Sequence, residues 1–240
     1  MAETPIIISI DGPASSGKST VGYLLAQKLG FLFFDTGILY RAVTCVALQQ
    51  GYPITHESAI TQLASELKID VLPPTVADGR QNTVLINDMD ETWNLRAPAV
   101  ELNVSIVATY RQVRQLLTNT MRQIGQRGNI VMVGRDIGTV VMPNADVKFF
   151  VTSSAEERAN RRHQQNLRNH IPSDYAEILA GLKERDHLDS TRATAPLVQA
   201  EAAILVDSTH MTIQETVQVL IDLVYLASQR LMAQRIQASQ

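Results

Sequence analysis

The run Gly12-Pro13-Ala14-Ser15-Ser16-Gly17-Lys18-Ser19-Thr20 matches G-x-x-x-x-G-K-[ST] at every defined position, an order of residues suited to phosphate chemistry. Amide N–H groups of such a loop, and of the helix that follows it, face the oxygens of a polyphosphate. Lys18 reaches the β- and γ-oxygens and the Ser19 hydroxyl meets Mg²⁺. A Gly- and Ser-rich turn that only caps a helix has no use for a lysine there. Transfer of a phosphoryl group asks little covalent help of a protein; it asks for positive groups, Mg²⁺ and an acceptor held in line.

The chain supplies positive groups beyond the loop. Arg41 closes Asp35-Thr36-Gly37-Ile38-Leu39-Tyr40-Arg41, Arg135 lies in Gly134-Arg135-Asp136-Ile137-Gly138-Thr139, and Arg185 and Arg192 bracket Arg185-Asp186-His187-Leu188-Asp189-Ser190-Thr191-Arg192. A further cluster, Arg158, Arg161, Arg162 and Arg168, falls on a helix predicted over 154–168, with Ser153 or Ser154 as N-cap and Glu156 and Glu157 in its first turn. Spacing places Arg158, Arg161 and Arg162 on one face. Downstream of a phosphate loop, such a face suits an element that closes over phosphates.

These groups need a scaffold that brings them together. The apolar runs Ile6 to Ile10, Phe31 to Phe34, Ile130 to Val133, Val147 to Val151 and Ala203 to Val206 read as strands buried on both faces. Helical patterns run from Thr20, over 37–50, 57–67 and 97–127, and over a terminal helix from Ile213 to Ile236 that packs on the sheet. Two short strands, 69–72 and 83–87, form a small inserted β element. Alternating strands and helices predict a doubly wound parallel α/β sheet, whose ligands gather at the carboxyl ends of its strands. Asp35, Arg41, Arg135 and Asp136 then converge on the crevice that holds the loop.

Composition removes other classes. The chain has 240 residues and a formal charge of −3, without the basic excess that bulk nucleic-acid binding needs. Its single cysteine, Cys45, has apolar neighbours and reads as a buried structural thiol in a reducing compartment. No signal peptide and no membrane span are read from the sequence, which places the chain in the cytoplasm. The five histidines show no metal-ligand spacing, the loop lacks the G-x-G-x-x-G spacing of a dinucleotide site, and no Asn-Lys-x-Asp stretch reads guanine.

The ordered set resembles the bacterial-type cytidylate kinases, members of the nucleoside monophosphate kinases, nearly end to end. It comprises Ile10-Asp11-Gly12-Pro13 with the phosphate loop, Asp35-Thr36-Gly37 through Arg41, Gly134 to Thr139, Glu157-Arg158 with Arg161-Arg162, Arg185-Asp186 with Asp189 and Arg192, Ala195-Pro196-Leu197, and Val206-Asp207-Ser208-Thr209. The resemblance implies transfer of the γ-phosphoryl of ATP to CMP or dCMP. It implies one P-loop kinase domain over 1–240, with a monophosphate-binding region at 35–127 that includes the β insertion near 68–96, and a helical lid at 154–185.

It also implies roles. Residues Gly12 to Thr20 hold ATP, Ser19 and Asp35 face Mg²⁺, and Lys18, Arg135, Arg158 and Arg162 stabilise the transferring group. The acceptor is met by Thr36, Tyr40, Arg41, Ser105, Arg114, Arg135, Asp136, Arg185, Asp189 and Arg192. Among these, Arg41, Arg135 and Arg192 take the phosphate, Arg185 and Asp189 the ribose, and Ser105, Arg114 and Asp136 the cytosine. Val133 stands where an acidic residue commonly precedes Gly-Arg-Asp in the family, so a Mg²⁺-linked role there is absent or moves to Asp35. Leu188 stands where relatives can be basic. The expected partners are small nucleotides, with no nucleic acid and no membrane, and the chain is expected to be a monomer. The competing readings are a P-loop kinase for UMP, AMP or shikimate, and a regulatory P-loop NTPase.

Overall fold

The computed structural model describes residues 5–192 and 194–238, without the side chains of 230–238. Five parallel strands, β1 (Ile7–Asp11), β2 (Leu32–Asp35), β6 (Ile130–Gly134), β7 (Val147–Thr152) and β8 (Ile204–Asp207), form one sheet in the order β2-β6-β1-β7-β8. The chain order reverses at β1, which lies between β6 and β7, so the topological switch point falls where the phosphate loop leaves the sheet. This is the doubly wound α/β sheet that the apolar runs predict.

In the middle of the sheet those runs are continuous because both faces are covered. Along β6, Ile130 and Met132 face a layer with Phe34, Leu39 and Leu117, while Val131 and Val133 face Ile8, Ile10, Leu25 and Phe149 on the other side. The first layer belongs to α2 (Gly37–Gln49), α3 (Glu57–Glu66), α4 (Pro98–Val107) and α5 (Arg111–Gly125). The second is closed by α1 (Lys18–Leu29) and α8 (Ile213–Ala238). The central strand β6 therefore needs apolar residues at every position, whereas β7 alternates buried with half-buried residues, Lys148 among them, and β8 leaves Leu205 54% exposed, so the expected burial on both faces fails at that side of the sheet. Cys45 is buried in the first layer at 3% exposure, and burial pushes its thiol upward, as befits a structural rather than a reactive residue.

The insertion is a three-stranded antiparallel sheet, β3 (Ile69–Leu72), β4 (Thr83–Ile86) and β5 (Met89–Asp90). The sequence pattern does not predict β5. It is short and exposed, and it follows a two-residue turn in which Asn87 and Asp88 both take positive φ. The single helix predicted over 97–127 is two helices. Tyr110 turns to an extended conformation (ψ 114°) and donates its hydroxyl hydrogen to Ile54 O at 2.7 Å, so a tertiary anchor breaks the helical pattern between α4 and α5. Beyond β7, α6 (Ala155–Arg168) and α7 (Tyr175–Thr191) pack side by side as a hairpin. The side chain of Ser154, the second of the two N-cap candidates, accepts from Glu157 N at the start of α6. No helix among the described residues is long and apolar enough to cross a membrane.

The turn out of β1 has little tolerance. Gly12 takes φ +155°, and a Cβ there would lie 2.0 Å from Val151 O, on the backbone of β7. Gly12→Ala is expected to destabilise the fold by about 3 kcal/mol, read as a shifted midpoint in denaturant melts. An unchanged midpoint would mean that the loop relaxes freely.

Candidate active site

Because the five strands are parallel, their carboxyl ends share one edge. That edge delivers Asp11 and the loop from β1, Asp35 from β2, Gly134-Arg135-Asp136 from β6, Ser153 from β7 and Ser208 from β8. Two halves face each other there.

The half that carries the phosphate loop, where the donor is expected, is a cavity of about 640 Å³ lined by Ser15 to Val21, by Glu157, Arg161, Arg162 and Arg168 of α6, and by Ser208 and Thr212. Ser15 (φ 58°) and Gly17 (φ 86°) take left-handed conformations that curl the loop into the start of α1. Lys18 Nζ donates to Pro13 O at 2.9 Å. Burial, with the positive charges of Arg135 and Arg185, lowers Lys18 to about 8, against the opposing pull of Asp35 and Asp11. Ser19 Oγ donates to Asp35 Oδ2 at 2.7 Å, so the two groups expected to face a divalent ion stand together. Ser16 Oγ is buried with no hydrogen-bond partner among the described residues, which leaves a hydroxyl free for a ligand oxygen.

The lowered lysine has a measurable consequence. Phosphate oxygens favour the ammonium form, so binding of ATP should raise Lys18 again and draw in a proton near pH 8. Affinity should be highest below that pH and fall as pH climbs through it, because the empty site then holds a neutral amine. Calorimetric titrations with ATP at pH about 8, in buffers of different ionisation enthalpy, read the uptake directly. A heat independent of buffer would contradict it.

The arginines of α6 divide in a way that helix spacing does not predict. Arg158, only 4% exposed, donates to Ser153 O at 3.0 Å, to Ala14 O at 3.1 Å and to both carboxylate oxygens of Asp186 on α7. It latches α6 to α7 and to the phosphate loop. Arg162 is exposed on the cavity wall. Arg161, placed on the phosphate-closing face by its spacing but not among the expected catalytic residues, is fixed there by Glu157 at 2.9 Å and by Ser208, with its guanidinium beside Gly17. The signal for it was its place on the same face as Arg158.

Asp11 was also missed as a functional residue. At 2% exposure it accepts the amides of Ile137 at 2.8 Å and Gly138 at 2.7 Å, the first residues of a π-helical segment, Ile137–Val141. Burial pushes its carboxyl up to about 6 and the nearby Asp136 adds to the rise, while the two amides and Lys18 pull it back. The carboxylate ties the Arg135-Asp136 turn to the base of the phosphate loop. Its sequence signal was a charge at the end of an otherwise apolar strand.

The other half, where the acceptor is expected, is a chain of ion pairs. Asp136 meets Arg114 at 2.8 Å and Arg192 at 3.8 Å, and Asp189 meets Arg135 at 2.6 Å and Arg192 at 3.7 Å. The Arg114 guanidinium lies over the Tyr40 ring, 5.7 Å from its centroid, and Tyr40 is buried. Burial, with Arg114 and Arg135 nearby, lowers Arg192, and burial with Arg135 lowers Arg185. Thr36 donates its hydroxyl to Val133 O at 3.0 Å and so braces β2 against β6. Arg41 pairs with Glu101 at 2.6 Å. Ser105 is exposed on α4 and makes no hydrogen bond to Arg114 or Asp136. Leu188, at 59% exposure, places no charge near these groups.

Comparison with known proteins identifies the family. The family model for cytidylate kinase matches residues 8–226. The chain is 48% identical over 221 residues to the cytidylate kinase of Chloroflexus aggregans, covering 92% of this chain and 95% of that one. It is 47% identical to the cytidylate kinase of Herpetosiphon aurantiacus, covering 94% and 97%. Among solved structures, an uncharacterized protein from Eubacterium ventriosum shares the fold, with a TM-score of 0.52 at 11% identity over 91% of this chain and 98% of that one. With a family model matched over most of its length and relatives near half identical across nearly all of both chains, the chain belongs to the cytidylate kinase family.

Proposed function

We propose that the chain transfers the γ-phosphoryl group of ATP to CMP and dCMP, giving ADP and the pyrimidine diphosphate. Beside family membership, the observation that carries the acceptor's identity is the Arg114–Asp136 pair, 2.8 Å apart and largely buried at the carboxyl edge. It sets a hydrogen-bond donor next to an acceptor. Cytosine offers the complement, since its exocyclic N4 amine donates to a carboxylate and its O2/N3 side accepts from a guanidinium. Uracil places a carbonyl opposite the carboxylate, and two opposed acceptors discriminate strongly.

On the donor side the residues fit a triphosphate with Mg²⁺. Loop amides, the free Ser16 hydroxyl and Lys18 would take phosphate oxygens, and Ser19 and Asp35 would hold the ion. Mg²⁺ would neutralise charge developing on the transferring group. Lys18 adds positive charge at the same place, and Arg161 and Arg162 wall off water that would otherwise hydrolyse the donor. Arg41, Arg135 and Arg192 hold the acceptor phosphate, and Arg185 and Asp189 meet the ribose. An oxygen of that phosphate bonds to the γ-phosphorus, the bond to the β–γ bridging oxygen breaks, and its electron pair leaves on ADP. The attacking oxygen is already anionic, so no general base is needed.

The α6–α7 hairpin is the closing element in this reading, and Arg158 must loosen its hold on Asp186 to reach phosphate. The region from Asp35 to Arg127 moves with the acceptor. A monomer in a reducing compartment completes the proposal, consistent with the buried free Cys45. The test is ADP release from Mg-ATP with CMP, dCMP, UMP, AMP, GMP or shikimate against a blank without acceptor. Stimulation by CMP and dCMP alone is expected. Rates no faster than the blank would point instead to a regulatory NTPase.

A further inference from the structure

The acids that meet Arg114, Arg135 and Arg192 are Asp136 and Asp189, both of which have their own place in the acceptor site. Arg41 is different. Its short contact, at 2.6 Å, is to Glu101 on the first turn of α4, a residue outside the set expected to meet base, ribose or phosphate. The remaining contact of the guanidinium is a long one, 3.5 Å to Leu95 O. The Glu101 side chain is 62% exposed and Arg41 is 28% exposed, so the pair opens to solvent. The charge of Glu101 also reaches Arg185, where it opposes the lowering produced by burial and Arg135. One solvent-exposed carboxylate therefore acts on two arginines of the proposed acceptor site.

A carboxylate and a phosphate use the same edge of a guanidinium, through the same charge-assisted hydrogen bonds. They cannot both take it fully. We infer that Glu101 is an internal stand-in for the acceptor phosphate, holding Arg41 until CMP arrives and competing with CMP for it. This inference rests on the function proposed above. Glu101 acts through Arg41 and is a positioning residue whose effect appears in acceptor affinity. An acid in the first turn of a helix also favours the helix dipole, but that role alone would leave acceptor affinity unaffected.

The test is Glu101→Gln in the full chain, with initial rates measured over a range of CMP at saturating ATP. Removal of a partly exposed competitor is expected to lower the CMP KM about two- to fivefold, while the ATP KM stays where it was. Inorganic phosphate should inhibit competitively against CMP, with a Ki lowered by the same factor. Glu101→Asp, which keeps the charge, should stay close to the parent. Titration with CMP alone gives the affinity without turnover. A CMP KM that is unchanged or raised in Glu101→Gln overturns the inference, a rise marking Glu101 as a strut that Arg41 needs. A chain that binds CMP equally in both forms defeats only this inference, whereas one that neither binds nor phosphorylates CMP defeats the proposed function as well.

Discussion

Lys18→Ala is expected to lower kcat/KM for CMP phosphorylation by about a thousandfold while leaving the protein folded. The lysine sits in the loop with its Nζ on Pro13 O, inside the donor cavity. Its positive charge acts where water is scarce, and a charge placed there is worth far more than one on the surface. Stability should move the other way. Burial and the neighbouring Arg135 and Arg185 already disfavour the ammonium, lowering it to about 8, so its removal relieves repulsion in the empty site. Thermal melts should therefore show a midpoint equal to the parent's or above it. Turnover near the parent level would remove Lys18 from the chemistry.

Asp136→Asn should lower kcat/KM for CMP by about a hundredfold and change ATP affinity little. The carboxylate holds Arg114 at 2.8 Å and Arg192 at 3.8 Å, and in the proposed complex it also accepts from the cytosine amine. An amide keeps one acceptor oxygen but turns an N–H group toward partners that are all donors. The donor cavity is lined by other residues, so direct titration with ATP should change no more than slightly. The preference for CMP over UMP should narrow in parallel, because the opposed acceptors are gone. Equal loss of ATP binding and CMP turnover would sink the assignment of Asp136 to the base.

The donor half of the site was legible because its chemistry is contiguous. A loop whose amides, lysine and hydroxyl lie within a few residues carries its geometry in its spacing, whereas the approach of Ser19 to Asp35, at the end of the next strand, comes from the fold. The strands were legible for a related reason: a strand covered on both faces must be apolar throughout, as Ile130 to Val133 are. Where the pattern misled, a distant contact had overridden it. The helix expected across 97–127 breaks because the Tyr110 hydroxyl finds Ile54 O, 56 residues away.

By itself the sequence determined the sheet class, the phosphate loop and the set of arginines and acids available to an acceptor. Each of these is a matter of residue type and short-range order. Only the tertiary structure decided how those charges pair. Asp11 reaches the amide of Ile137 across 126 residues because β6 lies beside β1, and Arg158 is spent on Ala14 and Asp186 whereas Arg161 lines the cavity. Glu101 meets Arg41 because α4 packs on α2. Such pairings depend on strand order and helix packing, which bring together groups far apart in the chain, and no local pattern encodes which carboxylate a given guanidinium will meet.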